Sequence, residues 1–194
     1  IETAAMRACC ACCECGTCYE GCRKKRAEEL LHFCLQMKKI IILSDTHRNY
    51  QAIDKLLPIM LESDYVFHLG DYDGDIMRYY GKLKDKIYSV KGNCDGGGED
   101  LILQIEDLKV MLTHGDRYGV KSSNMSLFYR SQELGVNVVF YGHTHCASID
   151  TMQGVTLINP GCMTKFQPKS YCYAVIHKDK ITAKIVDVND YENL

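Results

Sequence analysis

The sequence predicts an α/β fold with a largely parallel centre. Three observations carry this expectation. Apolar, β-branched runs alternate with helical periodicities from residue 37 onward, the β-α-β-α order of strands joined by crossover helices. The last two runs are joined by only His177-Lys178-Asp179-Lys180, which reads as an antiparallel hairpin. The chain's 194 residues, 46% apolar and 25% charged, supply one cored domain and are too few for two. That composition also excludes bulk disorder and collagen-like or coiled-coil repeats.

Taken in order, the strand-like runs are Ile40–Leu43, Tyr65–Leu69, Ile87–Val90, Val110–Thr113 and Val138–Tyr141, followed by Val155–Ile158, Tyr171–Ile176 and Ile181–Val188. After the first run, Asn49 caps a predicted helix with Ile53, Leu56, Leu57, Met60 and Leu61 on one face. Pro58 should kink or shorten it. A second helix starts at Ser122 or Ser123, runs through Leu127, Phe128 and Leu134, and stops at Gly135.

Cysteine usage divides the chain. Seven of its 12 cysteines lie between Cys9 and Cys22, Cys34 is the eighth, and residues 37–194 hold only Cys94, Cys146, Cys162 and Cys172. Those four read as reduced thiols in a cytoplasmic protein. Residues 1–36 are expected to be a Cys-rich leader outside the working protein, because Met37-Lys38-Lys39 resembles a natural start running into the first strand. Two alternatives stand beside that reading. One is a metal-binding or redox tail around Cys15-x2-Cys18, and the other is a disulfide knot. A short amphipathic helix is expected over Ala27–Gln36.

The balance of 23 basic against 25 acidic residues argues against a protein that coats nucleic acid. No run approaches 18 apolar residues, so no membrane-spanning helix is expected, and no secretory signal is read.

The chemistry lies just beyond the strands. The successive runs deliver Ser44-Asp45-Thr46-His47, Gly70-Asp71, Gly92-Asn93-Cys94-Asp95, Thr113-His114-Gly115-Asp116 and Gly142-His143-Thr144-His145. Ligand sites of open α/β sheets lie outside the carboxyl ends of strands, so these side chains are expected on one rim. Carboxylate, amide and imidazole together suit Mn, Fe, Co, Ni or Zn. Asp45, His47, Asp71, Asn93, His114, His143 and His145 are too many for one ion and suit two that share a carboxylate. Two ions about 3.5–4 Å apart clamp an in-line phosphoryl displacement and supply hydroxide near neutral pH.

The order Asp-x-His, Gly-Asp, Gly-Asn-x-Asp, His-Gly, Gly-His-x-His resembles the calcineurin-like metallophosphoesterases. Gly92-Asn93-Cys94-Asp95 and the compact chain are similar to the small prokaryotic YfcE-type phosphodiesterase branch. The resemblance covers residues 37 to about 188. It implies two sheets packed face to face with helices outside, a four-layer sandwich. It implies one ion held by Asp45, His47, Asp71 and His145, and a second held by Asp71, Asn93, His114 and His143. Asp71 would bridge the two ions, and Asn93 would also orient the phosphate. The implied cofactors are two divalent cations, Mn first, with Ni, Fe, Zn or Co also suited. The implied activity is hydrolysis of small phosphate diesters by metal-bound hydroxide.

Two departures from the superfamily pattern stand out. Cys94 replaces a His that protonates the leaving group in many members, which leaves the identity of the general acid open; the catalytic candidates are Asn93, His114 and Cys94. Gly74 replaces the last Asp of Gly-Asp-x-x-Asp, so Asp73 or Asp75 either substitutes for it or is a plain loop residue.

Read singly, each ligand could be a cap or an ordinary loop residue; the five motifs in order favour ligands. His68 reads as core or as support behind the site, and His32 and His177 as surface. Cys146, Cys162 and Cys172 read as core fillers. Gly96-Gly97-Gly98 reads as a loop. Asn159-Pro160-Gly161 reads as a pocket wall or a turn. Arg48 and Arg117 read as solvated, with phosphate contact the alternative. The competing functions are a phosphomonoesterase or phosphoprotein phosphatase on the same site, and a scaffold like the retromer subunit of this fold, which has lost key ligands. A nuclease is disfavoured, and a homo-oligomer is compatible.

Overall fold

The computed structural model describes residues 37–165 and 168–193, with backbone alone for 191–193. The expected leader and its helix, and with them His32, lie outside the described residues. The described elements are β1 (Lys38–Leu43), α1 (Tyr50–Glu62), β2 (Tyr65–His68), the single turns α2 (Gly74–Met77) and α3 (Tyr80–Leu83), and β3 (Ile87–Ser89). They continue as β4 (Leu101–Ile105), β5 (Leu108–Leu112), α4 (Met125–Glu133), β6 (Val138–Phe140), β7 (Ser148–Met152), β8 (Val155–Asn159), β9 (Ser170–His177) and β10 (Lys180–Asp187).

Two five-stranded sheets form, in the orders β10-β9-β1-β2-β3 and β4-β5-β6-β8-β7. Each contains a parallel trio: β1-β2-β3 runs to one edge of the first sheet, with antiparallel β9 and β10 beyond β1, and β5-β6-β8 lies at the centre of the second, between antiparallel β4 and β7. The parallel centre is therefore split between two sheets. The predicted final hairpin is present, with Lys180 paired to His177.

Side-chain alternation in β1 explains the layering. Ile40 and Ile42 face the second sheet, joining Phe67, Val110, Leu112, Val138, Phe140 and Ile158. Ile41 and Leu43 face the other way and meet Ala52, Ile53, Leu56 and Met60 of α1. Ile40–Leu43 are all fully buried, so this part of β1 reads as an unbroken apolar run, and each contributes about 1.5–3 kcal/mol of burial. On the second sheet, Met111, Val139 and Leu157 pack under Leu127 and Phe128 of α4. The order helix, sheet, sheet, helix is the expected four-layer sandwich.

Local departures have local causes. Pro58 does not shorten α1, which runs on to Glu62. It lies on the exposed side next to exposed Asp54, where water can serve the Asp54 carbonyl that loses its intrahelical donor. Asn49 does not cap α1 through its side chain; its amide donates instead to the Met163 carbonyl at 2.7 Å. Leu61 is exposed rather than on the buried face, where Ala52 takes a place. The second helix starts later than expected, at Met125, whose N–H donates to Ser123 Oγ at 3.2 Å. Gly135 ends it with φ +63. No helix among the described residues is long and apolar enough to cross a membrane.

Candidate metal centre

Five parallel strands, β1, β2, β3, β5 and β6, bring the candidate residues to one rim. The loops after them are tied across the two sheets. The His143 N–H donates to Asp45 Oδ2 at 3.2 Å, and His114 Nδ1 meets the Leu69 carbonyl at 2.8 Å. Close approach requires glycine at Gly70. It adopts φ +93, and a Cβ there would lie 2.5 Å from Gly92 N and 2.9 Å from the His114 ring.

Asp45, His47, Asp71 and His145 place one ligand atom each within 4.8 Å of one another. Two ligand atoms about 2.1 Å from a shared ion can be at most about 4.2 Å apart, so a few tenths of an ångström of contraction closes this group on a cation. Asp45 Oδ1 and His47 Nε2 are buried and make no hydrogen bond, although Oδ1 lies 3.0 Å from His145 Nε2. Native structures satisfy buried polar atoms, and a cation satisfies both of these at once.

The second group centres on His114. A carbonyl only accepts, so His114 Nδ1 carries the proton and donates to Leu69, leaving Nε2 a bare acceptor in the neutral ring. A backbone carbonyl holding the far nitrogen is the support that metal-binding imidazoles use. Around Nε2 lie Asn93 Oδ1 at 3.1 Å, His143 Nδ1 at 3.2 Å and Asp71 Oδ1 at 3.5 Å. An amide oxygen, a carboxylate oxygen and a second imidazole nitrogen gathered this closely around a bare Nε2 suit a cation between them. Asp71 faces both groups, since its Oδ2 lies 3.8 Å from His47 Nε2. All seven residues expected as ligands are thus on this rim, four around Asp45 and four around His114, with Asp71 in both.

Five of the seven hold left-handed backbone: Asp45 (φ 52), His47 (φ 43), Asp71 (φ 59), His143 (φ 68) and His145 (φ 61). Asp and His visit this region more readily than most residues. Each still costs about 1 kcal/mol or more, a cost that clusters at functional sites.

Buried hydrogen bonds hold the loops in that conformation. The Gly70 N–H donates to His68 Nδ1 at 3.3 Å, so Nε2 carries the proton of the neutral ring and donates to Thr46 Oγ1 at 3.1 Å. Thr46 in turn donates to Asp75 Oδ2 at 2.8 Å, which also accepts the Arg48 N–H at 2.7 Å. His68 is therefore support behind the site, as expected, and Asp75 is a buried anchor rather than a plain loop residue. Asp95 plays the same part for the next loop, accepting from Tyr72 N–H at 2.8 Å and Gly92 N–H at 3.0 Å. Asn159 donates to the Gly142 carbonyl and to Thr144 Oγ1, both at 3.0 Å, and so fixes the loop bearing His143 and His145. Sequence reading placed Asp75 and Asn159 near the site without assigning these tasks, since neither bonding pattern has a motif.

The electrostatics follow from burial and proximity. Burial works to raise Asp45, but His145, the Ser44 hydroxyl 2.5 Å away and His114 hold its carboxyl below the usual range. Burial lowers His143, helped by Lys121 and His114. Burial also drives His68 down to about 4. Burial, then the Asp71 carboxylate, pushes the Cys94 thiol up to about 11. Burial and Asp95 raise Asp73.

The remaining candidates fall as follows. Cys94 is exposed at the rim, and its N–H donates to Asp71 Oδ1 at 2.8 Å. Cys162 and Cys172 are buried fillers, whereas Cys146 is exposed, because its strandless loop directly follows His145. His177 is half-buried at the end of β9 rather than on the surface. Arg117 pairs with Asp100 at 2.9 Å. Gly96 and Gly97 adopt positive φ in a turn after Asn93–Asp95, as a loop should.

Fold and rim together define a metal-binding α/β sandwich of the hydrolase kind. The chain belongs to the calcineurin-like phosphoesterase superfamily, whose domain matches residues 37–180. It is 30% identical over 166 residues to a Bacillus subtilis protein named probable metallophosphoesterase YsnB, covering 80% of this chain and 95% of that one. It is 22% identical to the Escherichia coli phosphodiesterase YfcE, covering 66% and 80%. Among solved structures, a Streptococcus pneumoniae protein described as a predicted phosphoesterase superposes with TM-score 0.66 at 25% identity, covering 79% and 91%. Vacuolar protein sorting 29 from Cryptosporidium parvum shares the fold, with TM-score 0.64 at 17% identity, covering 78% and 97%.

Proposed function

We propose that this protein is a phosphodiesterase that hydrolyses small phosphate diesters with two divalent cations, manganese first among them. The working enzyme is residues 37–194 and acts in the cytoplasm. The observation that supports this reading is the double engagement of Asp71, 3.8 Å from His47 on one side and 3.5 Å from His114 on the other. Asp45, His47, Asp71 and His145 would hold one ion; Asp71, Asn93, His114 and His143 would hold the other. Such ions, when bound, neutralise phosphate charge and supply a deprotonated water at neutral pH.

The chain's own residues then have defined tasks. The His114 N–H held by Leu69 keeps Nε2 turned inward. Asn93 presents its carboxamide oxygen beside that nitrogen, which leaves its Nδ2 to donate to a phosphate oxygen. Asp95 and Asp75 hold the loop backbones and keep out of the substrate's path. Cys94 lies next to the reacting rim but, as a weak acid, does not set the rate of leaving-group protonation.

The test is turnover of bis(4-nitrophenyl) phosphate against 4-nitrophenyl phosphate. Metal-stripped protein is resupplied with Mn, Ni, Zn or Mg one at a time. Diester turnover above monoester, with Mn or Ni well above Mg, is expected. Activity indifferent to chelation would overturn the reading, and monoester preference would favour a phosphatase.

A further inference from the structure

Arg48 and Tyr72 occupy equivalent places in neighbouring loops. Arg48 follows His47, and Tyr72 follows Asp71. Both hold left-handed backbone, φ 61 and φ 70. An L side chain there costs about 1 kcal/mol or more, which glycine escapes. Both backbones are tied down, Arg48 N–H to Asp75 Oδ2 at 2.7 Å and Tyr72 N–H to Asp95 Oδ1 at 2.8 Å.

The strain is not repaid in the core. Arg48 is exposed and Tyr72 half-buried, and neither belongs to an apolar cluster. Among the described residues the Arg48 guanidinium makes no ion pair. Instead it lies over the Tyr72 ring, 5.1 Å from the centroid. Such a pair needs no unusual backbone. Arg78 sits 4.0 Å over the Tyr50 ring with ordinary right-handed backbone. What the strain fixes is where the pair stands. The Tyr72 ring lies 5.1 Å from the His47 ring, which lies 5.5 Å from the His145 ring, a row leading into the metal centre.

We propose that Arg48 and Tyr72 form a shelf that holds a flat aromatic group on the retained alcohol of the diester. The substrate class is then aryl or nucleosidyl diesters rather than alkyl ones. This rests on the phosphodiesterase reading and narrows it. Guanidinium and phenol both stack on flat rings, and such stacking tolerates any base or aryl group. A ring on the shelf has its ester phosphate beside His47 and Asp71. Arg48 and Tyr72 are specificity residues in this role, not catalytic ones.

The test uses Mn-loaded protein and three diesters that share the 4-nitrophenyl leaving group and differ in the retained group: ethyl, phenyl and thymidine-5′-yl. The expected result is kcat/KM about 10-fold above ethyl for one or both ring-bearing esters, carried mainly in KM. Phenyl and thymidyl distinguish an aryl from a nucleoside source. Tyr72→Leu and Arg48→Met should draw that ratio toward one, and Tyr72→Phe should keep it. A second readout is the NMR spectrum of phenyl phosphate with the Zn-loaded protein, whose ring protons should shift upfield and lose the shift in Tyr72→Leu. A wild-type ratio near one, or a ratio that survives Tyr72→Leu, overturns the shelf. If none of the diesters is turned over with any metal, the phosphodiesterase reading falls, and the NMR shift still decides the shelf.

Discussion

Thr46 Oγ1 lies 3.1 Å from His68 Nε2, and through that contact one buried imidazole spans two of the three loops of the first candidate ligand group. Thr46 sits between Asp45 and His47, while the other ring nitrogen of His68 holds the Gly70 N–H, next to Asp71. Thr46→Val keeps the shape but removes both the acceptor for His68 and the donor for Asp75. The expected outcome is an affinity for the more tightly held ion about 10–100-fold weaker, as for other supporting residues of metal ligands. Thr46→Ser should restore most of it. Calorimetric titration of metal-stripped protein reads this directly, and equal affinities in wild type and Thr46→Val would remove Thr46 from the role.

His68 also makes stability depend on pH. Its folded value is about 4 against 6.5 as the reference. Between those values the unfolded chain binds a proton that the folded chain does not. Stability is therefore unaffected by this group above about pH 6.5 and falls as pH drops toward 4, by up to about 3 kcal/mol. His68→Asn, whose Oδ1 can still accept the Gly70 N–H, lacks this component. Urea unfolding of the metal-free proteins at pH 7 and pH 4.5 should show a larger loss for wild type. Parallel losses would mean that His68 is charged in the folded protein.

Residues that both pack and alternate were legible from sequence, and so was the set of side chains that gathers at the rim. Apart from half-buried β3, the strands of the two parallel trios are largely buried and announce themselves as apolar runs, and the candidate ligand motifs follow at the ends of β1, β2, β3, β5 and β6. What was missed lies at sheet edges. β7 is largely exposed, and its Ser148-Ile149-Asp150-Thr151-Met152 carries no alternating signal. β4 does alternate in burial, but Ile102 stands on its exposed side and blurs the period. Glu106 with φ +51 closes the β4–β5 turn, a conformation that composition does not reveal. Nor can periodicity tell one sheet from two, because Ile40–Leu43 reads the same whichever layer covers each face. The candidate ligand set was visible as types and order; the anchoring by Asp75, Asp95 and Asn159 was not, because it depends on which groups of the neighbouring loops each carboxylate or amide meets.

Gly142 carries a packing constraint with a built-in control. A Cβ there would collide with Ser44 Oγ and lie 3.0 Å from Asp45 Oδ2. Gly142→Ala should cost about 1–3 kcal/mol, the usual penalty for overfilling a packed site. Adding Ser44→Ala removes the nearest obstruction and should recover part of that cost. A double-mutant cycle by chemical unfolding measures the coupling, and strictly additive losses would show that the loop relieves the clash by moving.

If Asp71 serves both groups, metal stoichiometry should separate the ligands. His145→Ala should spare the ion near His114, and Asn93→Ala should spare the ion near Asp45. Asp71→Ala should lower the content of both. Metal analysis after dialysis against a fixed low free Mn concentration distinguishes the three, and a single shared ion would make all three variants lose it together.

His114 and Cys94 stand at the same rim but should differ sharply on mutation. His114 is buried, its proton is committed to Leu69, and its Nε2 faces Asn93, His143 and Asp71. Replacing it by Ala removes a proposed ligand and opens the group, so kcat on an activated aryl diester should fall at least about 100-fold. Cys94 is exposed, and a thiol is a poorer acid than imidazolium near neutral pH. With a nitrophenolate leaving group that needs no protonation, Cys94→Ala should lose less than about 10-fold. Its backbone N–H, which supports Asp71 at 2.8 Å, survives the substitution. Matched losses in kcat for the two variants would make the Cys94 side chain an active participant at the rim.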